Sequence, residues 1–177
     1  MKVIAFAGSN SSQSINKQLV ELASKLIDLN VEVLDLNNYD IPTYSIDIEK
    51  NGFPEGVTDF YETLKNADII LISLAEHNAG YTAVFKSYID WCTRINYKFL
   101  TDKKLFVMST SPGGYAGKNA REAGVFLLEK LGGEIIELYS LPKFSENFND
   151  GDITNPVLKN ELVQKINSFK SKIFYKN

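Results

Sequence analysis

Hydroxyl and amide side chains are concentrated near the amino end of the chain, in the stretch GSNSSQSIN at residues 8–16. This stretch contains four serines and two asparagines, and it lies between a short apolar run and a segment with helical periodicity. A helix that begins here presents unsatisfied N–H groups and a partial positive charge, and serine hydroxyls add further donors, so the loop can hold a phosphate. Ser14 and Asn16 could equally serve only to cap the helix, so the loop by itself leaves both interpretations open.

Other kinds of chemistry have less support. A nucleoside-triphosphate loop requires Gly-Lys-Ser/Thr and a dinucleotide fingerprint requires three glycines, whereas this loop has only Gly8. The single histidine, His77, and the single cysteine, Cys92, exclude a multi-histidine metal site and an intramolecular disulfide. We predict no metal site and no catalytic side chain: His77 either donates a proton or shields a ligand, and Cys92 is a small buried hydrophobe. Tyr88 and Trp91 are expected in the core or in a subunit interface.

Composition restricts the class of protein. The chain has 177 residues, of which 44% are hydrophobic and 23% charged, and a formal net charge of −3. These are ordinary values for one globular domain, and no basic stripe is available for nucleic acid. The sequence contains no run of about 18 apolar residues, the length that could span a membrane. Its amino-terminal apolar run is too short for a secretory signal. We therefore expect one cytoplasmic domain, residues 1–177, that binds neither nucleic acid nor membranes.

Short apolar runs alternate with longer segments of helical periodicity along the chain. Residues 37–56 form a loop rich in Asn, Asp and Pro. Gly132 and Gly133 indicate a left-handed helix end, and Asn155 and Pro156 open the final helix as its cap and first residue. The pattern predicts strands at 3–7, 31–36, 68–74, 104–108 and 134–138, and helices at about 16–28, 57–66, 83–96, 120–131 and 156–173.

Strands that alternate with helices pair in parallel through right-handed crossovers, which predicts a three-layer, doubly wound α/β fold. The five strands favour a five-stranded parallel sheet with the order 2-1-3-4-5. Ligands of such sheets lie beyond the carboxyl ends of the strands, where strands 1 and 3 diverge. The loops at that position are 8–16, 75–82 and 110–117, and the last of them contains the glycine-rich sequence SPGGYAG.

These three loops resemble the motifs of the NADPH-dependent FMN reductase family. The AEHNAG sequence at 75–80 resembles the family's Pro-Glu-Tyr-Asn-Gly turn, and the VFKSYIDW sequence that follows resembles its Leu-Lys-Asn-Ala-Ile-Asp-Trp helix. The SPGG sequence resembles its Ser-x-Gly-Gly segment, and the tail from 148 to 169 resembles its last Asp-Gly turn and helix. The family's Gly-Ser-x-Arg-x-x-Ser-x-Asn element is matched by Gly8, Ser9, Ser14 and Asn16.

The resemblance implies a flavodoxin-like fold that binds FMN and reduces small acceptors with NADPH or NADH. It places the FMN phosphate on the first loop, the isoalloxazine ring over the second, and the ribityl and pyrimidine side against the third. The implied acceptors are quinones, free flavins, azo compounds or metal oxyanions, reduced by hydride transfer through flavin N5. The implied cofactor-binding residues are Ser9, Ser11, Ser14, Ile15, Asn16, Glu76, His77, Asn78, Ala79, Ser111, Gly113 and Gly114.

The sequence departs from the family pattern at four positions. Ser11 stands where the family usually has arginine, Ala75 replaces proline, His77 replaces tyrosine, and Ala79 replaces glycine. An alternative function is therefore a flavodoxin-like electron carrier, or an FMN-binding protein without NAD(P)H oxidase activity of its own. The resemblance also implies a homodimer or homotetramer, with the helix at 83–96 in the interface.

Overall fold

A five-stranded parallel sheet forms the centre of the computed structural model, which describes residues 1–174. The strands in chain order are β1 (Val3–Gly8), β2 (Val31–Leu34), β3 (Ile69–Leu74), β4 (Glu76–His77), β5 (Gly80–Tyr81), β6 (Lys104–Thr110), β7 (Glu134–Leu141), β8 (Phe148–Asn149) and β9 (Asp152–Ile153). The central sheet has the order β2-β1-β3-β6-β7, and every neighbouring pair is parallel. This confirms the predicted order 2-1-3-4-5 of the long strands.

Helices cover both faces of this sheet. They are α1 (Ile15–Leu26), α2 (Ile46–Glu49), α3 (Glu55–Lys65), α4 (Ala83–Ile95), α5 (Lys118–Lys130), α6 (Phe144–Asn147) and α7 (Pro156–Phe174). One apolar cluster lies between the sheet and α3, α4 and α5, and a second lies between the sheet and α1 and α7. Strands β1 and β3 are buried over their whole length because both of their faces are covered.

The helix ends follow from local chemistry. Ser14 caps α1, because its hydroxyl oxygen accepts a hydrogen bond from the Lys17 N–H at 3.2 Å. Gly132, at φ +98°, lies just beyond α5 in the left-handed conformation that glycine tolerates. The Asn155 side chain accepts from the N–H groups of Val157 and Leu158, which caps α7 immediately before Pro156. The last two ends agree with the predicted boundaries.

The structure differs from the predicted elements in several places. Strand β2 stops at Leu34 because Asp35 caps a short 3₁₀ turn at Leu36–Asn38. The segment 37–56, predicted as a loop, contains helix α2. Strands β6 and β7 continue to Thr110 and Leu141, two and three residues beyond their predicted ends at 108 and 138. The hairpins β4–β5 and β8–β9 were not predicted, because strands of two residues are too short to show a period.

Helix α4 anchors the long segment that follows β2. The Trp91 indole N–H and the Ser87 hydroxyl both donate to the Pro42 carbonyl, at 2.8 and 2.9 Å. The Tyr88 hydroxyl donates to the Tyr39 carbonyl at 3.1 Å. Cys92 is 1% exposed, and burial raises the pKa of its thiol to about 12, so it is a buried hydrophobe as predicted. Tyr88 and Trp91 therefore belong to the core.

Residues 1–174 contain neither a membrane-spanning helix nor a cluster of metal-binding side chains. No helix there has the length and apolar character that crossing a membrane requires. Nor does this part of the chain bring together three His, Cys, Asp or Glu side chains in a group that could hold a metal ion.

Candidate functional site

The three loops selected from the sequence meet at the carboxyl edge of the sheet. They enclose a cavity of about 230 Å³ that is open to solvent. The predicted residues Asn78, Ala79, Gly113 and Gly114 lie outside its lining, and Gln13, Ala75, Thr110 and Pro112 are lining residues that were not predicted. The complete lining is Ser9, Ser11, Gln13, Ser14, Ile15, Asn16, Ala75, Glu76, His77, Thr110, Ser111 and Pro112.

Three serine hydroxyls of the first loop use their oxygen atoms to hold the loop itself. The Ser11 N–H donates to Ser9 Oγ at 3.2 Å, and the Gln13 N–H donates to Ser11 Oγ at 3.3 Å. The Lys17 N–H donates to Ser14 Oγ. A hydroxyl has one proton as well as two lone pairs, so all three O–H groups remain able to donate into the cavity.

The first turn of α1 adds backbone donors to these hydroxyls. Neither the Ile15 N–H nor the Asn16 N–H has an acceptor among residues 1–174. Both stand at the end of the helix that carries the partial positive charge. Capping the helix and donating to a ligand are therefore compatible roles for Ser14, because its oxygen accepts from the Lys17 N–H while its proton stays free.

The Asn16 side chain has a role that the sequence did not indicate. Its Oδ1 accepts from the Ser73 hydroxyl at 2.8 Å and from the Thr110 N–H at 3.1 Å, and its Nδ2 donates to the Thr110 carbonyl at 3.2 Å. Asn16 is only 2% exposed, so this amide ties α1 to the carboxyl ends of β3 and β6. What Asn16 can offer a ligand is its backbone N–H.

No lysine or arginine of residues 1–174 lines the cavity. Lys17, which follows the first loop in sequence, forms an ion pair of 2.5 Å with Asp35 at the end of β2. This hydrogen bond raises the pKa of Lys17 and lowers the pKa of Asp35, so the ammonium stays with its carboxylate. Because Ser11 occupies the family's usual arginine position, the anion site consists of neutral donors.

The second loop forms the β4–β5 hairpin, in which His77 pairs with Gly80. Its two turn residues, Asn78 and Ala79, have φ angles of +51° and +63°, as in a type I′ turn. The hairpin therefore keeps a left-handed turn although alanine replaces glycine at position 79. The His77 side chain is exposed beside the cavity.

The Glu76 carboxylate caps α5. It accepts from the N–H groups of Asn119 and Ala120, at 3.1 and 3.3 Å, and from the Asn119 side chain at 3.2 Å. A carboxylate at a helix amino end is stabilised by the partial positive charge there. Glu76 therefore fixes the hairpin on α5, and its backbone remains beside the cavity.

The third loop is held by the carbonyl of Gly113, which accepts from the N–H groups of Lys143 and Ala116 and from the Ser111 hydroxyl, at 3.0, 3.3 and 3.3 Å. A Cβ atom added at Gly113 or Gly114 would meet no atom within 4 Å. The packing of this chain therefore does not require glycine at these positions. The open space leaves room for a ligand to approach the backbone.

The donor set fits a phosphate monoester, because free O–H and N–H groups converge at one end of the cavity without a carboxylate aimed at it. Such a site at the switch point of a sheet with this strand order defines a flavodoxin-like nucleotide-binding protein.

Comparison with known proteins identifies the family. Residues 1–133 match the model of the NADPH-dependent FMN reductase family. An NAD(P)H-dependent FMN reductase of Pseudomonas aeruginosa is 30% identical over 133 residues, which are 72% of this chain and 71% of that protein. The chain belongs to the NADPH-dependent FMN reductase family and is an NAD(P)H-dependent flavin oxidoreductase.

Two further proteins match nearly the whole chain. An NADPH:quinone oxidoreductase of Arabidopsis thaliana is 28% identical over 187 residues, covering 97% of this chain and 91% of that protein. The solved structure of FerB, a flavoenzyme NAD(P)H:(acceptor) oxidoreductase from Paracoccus denitrificans, superposes with a TM-score of 0.78. It is 25% identical and covers 96% of this chain and 95% of that one.

Proposed function

We propose that the first loop binds the FMN phosphate through hydroxyl and backbone donors alone. The observation that carries this proposal is the set of free donors at the cavity: each serine oxygen already accepts a backbone N–H, so its proton is left for a ligand. The proposed phosphate contacts are the O–H groups of Ser9, Ser11 and Ser14 and the N–H groups of Ile15 and Asn16.

The same proposal assigns the other two loops to the rest of the cofactor. The backbone of Glu76, His77, Asn78 and Ala79 would meet the isoalloxazine edge, and Ser111, Gly113 and Gly114 would meet the ribityl and pyrimidine side. Bound FMN supplies a ring that takes up hydride at N5 and passes it on. The chain's part is to position donor and acceptor, since the Glu76 carboxylate is held by α5 and no other carboxylate of residues 1–174 lines the cavity.

The acceptors we propose are small molecules: quinones, free flavins, azo compounds or metal oxyanions, reduced with NADPH or NADH in two alternating half-reactions. The quinone and FMN reductases among the relatives support the first two classes.

We also propose a homodimer or homotetramer that acts in the cytoplasm as a single domain, residues 1–177. The cavity of about 230 Å³ is smaller than the roughly 300–1,000 Å³ of pockets that enclose a small molecule. One chain therefore encloses only part of FMN, which supports a partner chain, packed through α4, as the cover for the ring.

Anaerobic spectroscopy tests the proposed activity. Purified protein loaded with FMN is expected to lose its flavin absorbance at about 450 nm when NADPH or NADH is added. It should regain this absorbance when a quinone is added. An electron carrier would keep its absorbance with either nicotinamide. Calorimetry that found no FMN binding at micromolar protein would overturn the proposal and leave a flavodoxin-like protein without its cofactor.

A further inference from the structure

Among residues 1–174, the ionisable side chains that line the cavity are Glu76 and His77. They differ in what they are free to do. The Glu76 carboxylate is committed to the amino end of α5 by three hydrogen bonds. The His77 ring makes no hydrogen bond or ion pair with residues 1–174, and its side chain is exposed.

The loops around His77 contribute no charges, and the two cations on the neighbouring helix make contacts of their own. Neither the first loop at 8–16 nor the SPGGYAG loop at 111–117 contains a charged residue. On α5, which packs against the hairpin, Lys118 is 3.6 Å from Glu122, and Arg121 donates to the Ser140 hydroxyl at 2.7 Å.

The other titratable side chains near the hairpin and the first loop are also held by contacts of their own. Tyr81, on the second strand of the hairpin, packs edge-on against Phe85 at 5.5 Å. Lys17, on α1, is held by Asp35. His77 is therefore the one cavity-lining side chain in the described structure that can carry a positive charge.

We propose that His77 determines acceptor specificity: its imidazolium form binds the anionic group of acceptors that carry a sulfonate or carboxylate, so the enzyme favours them at acidic pH. This rests on the proposed function, because the acceptor must stack on the FMN held by the same loops. His77 directly precedes Asn78 and Ala79, whose left-handed backbone angles form the turn of the hairpin. Its ring has no partner among residues 1–174 that an acceptor would have to displace.

Binding of two redox-inert probes tests the proposal. Naphthalene-2-sulfonate is anionic and naphthalene-2-sulfonamide is uncharged, and the two have nearly the same shape. Their dissociation constants are measured by calorimetry on the FMN-saturated protein between pH 6 and 8.5. We expect the affinity for the sulfonate to fall about threefold as pH rises, as for one exposed charge pair, while the affinity for the sulfonamide stays constant.

Three variants assign this effect to the residue. His77→Gln is expected to bind the sulfonate with the weak, high-pH affinity at every pH, and His77→Lys with the tight affinity at every pH. Lys104→Gln, which removes a charge at the amino end of β6 on the opposite edge of the sheet, should keep the wild-type profile.

The outcomes separate this inference from the function it rests on. A sulfonate-to-sulfonamide ratio that does not change with pH, or that changes equally in His77→Gln, would overturn the role of His77 while FMN binding stands. Failure of the wild-type protein to bind FMN would overturn the proposed function and this inference with it.

Discussion

A serine hydroxyl has one proton and two lone pairs, and the first loop uses them for different purposes. The oxygens of Ser9, Ser11 and Ser14 accept backbone N–H groups and so shape the loop. Their protons, together with the first amides of α1, are left for an anion. The same residues can therefore cap the helix and donate to the phosphate site that we propose, which explains why the loop sequence alone did not distinguish the two roles.

Ala79 has a left-handed backbone conformation in the second loop. Its φ of +63° is a conformation that costs a residue with a Cβ about 1 kcal/mol. We expect Ala79→Gly to raise the free energy of unfolding by about 0.5–1 kcal/mol, measured by urea denaturation. Ala123→Gly, at an exposed position inside α5, should lower it by a similar amount. If neither substitution stabilised the protein, or if both did, the left-handed turn at Ala79 would be contradicted.

Asn16 determines how the loops of the site are held together. Asn16→Ala would leave the Ser73 hydroxyl and both backbone groups of Thr110 buried without their partner. We expect a loss of about 2–4 kcal/mol in the free energy of unfolding and weaker binding of FMN. Asn10→Ala, in the same loop but exposed, should change stability by less than about 0.5 kcal/mol. Equal effects of the two variants would argue against this role of the Asn16 side chain.

At the scale of elements, α7 is joined to β7 by a buried carboxylate. Glu137 is 8% exposed and lies within 3.1 Å of Lys165 Nζ and 2.6 Å of Lys172 Nζ, and it accepts from the Ser168 hydroxyl at 2.7 Å. Burial alone would raise the pKa of Glu137, but hydrogen bonds from these three residues outweigh it and lower the pKa to about 2. The charged form is therefore the one that the folded state favours.

Stability should consequently depend on pH through Glu137. Its stabilising effect is fully present above the usual glutamate pKa of about 4.3 and is lost as the pH falls toward 2, by roughly 2–3 kcal/mol in all. We expect Glu137→Gln to lower the free energy of unfolding at pH 7 and to reduce its decline between pH 5 and 3. Denaturation curves at both ends of that range would measure it. A variant as acid-sensitive as the wild type would contradict this role.

The predictability of each element depended on its length. The five long strands and the long helices have enough residues to show a period, so their order was predicted correctly. The two hairpins have strands of two residues, and only the turn chemistry could have revealed them. Asp150-Gly151 carries the ordinary type I′ signal, whereas Asn78-Ala79 lacks the glycine and so gave no indication of its hairpin.

At the scale of the whole molecule, topology located the site, because parallel strands bring their carboxyl ends to one edge. The contacts that complete it were not predictable in the same way. Asn16 meets Thr110 across 94 positions of sequence, and Glu76 meets Asn119 across 43. Such pairs form only in the packed fold, and the sequence around Asn16 or Glu76 does not predict them. The residues that Asn16 and Glu76 hold in place are nevertheless those that the motifs had indicated.

Riboflavin is FMN without the phosphate. It therefore tests the phosphate site that we propose on the first loop. The variant Ser14→Asp places a carboxylate where we expect the phosphate, while aspartate still caps α1 well. Ser12→Asp is the matched control, since Ser12 is exposed in the same loop but does not line the cavity.

The decisive measurement is the dissociation constant of FMN and of riboflavin for these three proteins, by quenching of flavin fluorescence. We expect the wild type and Ser12→Asp to prefer FMN by at least about 100-fold, or about 2.7 kcal/mol, and Ser14→Asp to lose that preference while its affinity for riboflavin changes little. Equal binding of FMN and riboflavin by the wild type, or an unchanged preference in Ser14→Asp, would contradict the phosphate site.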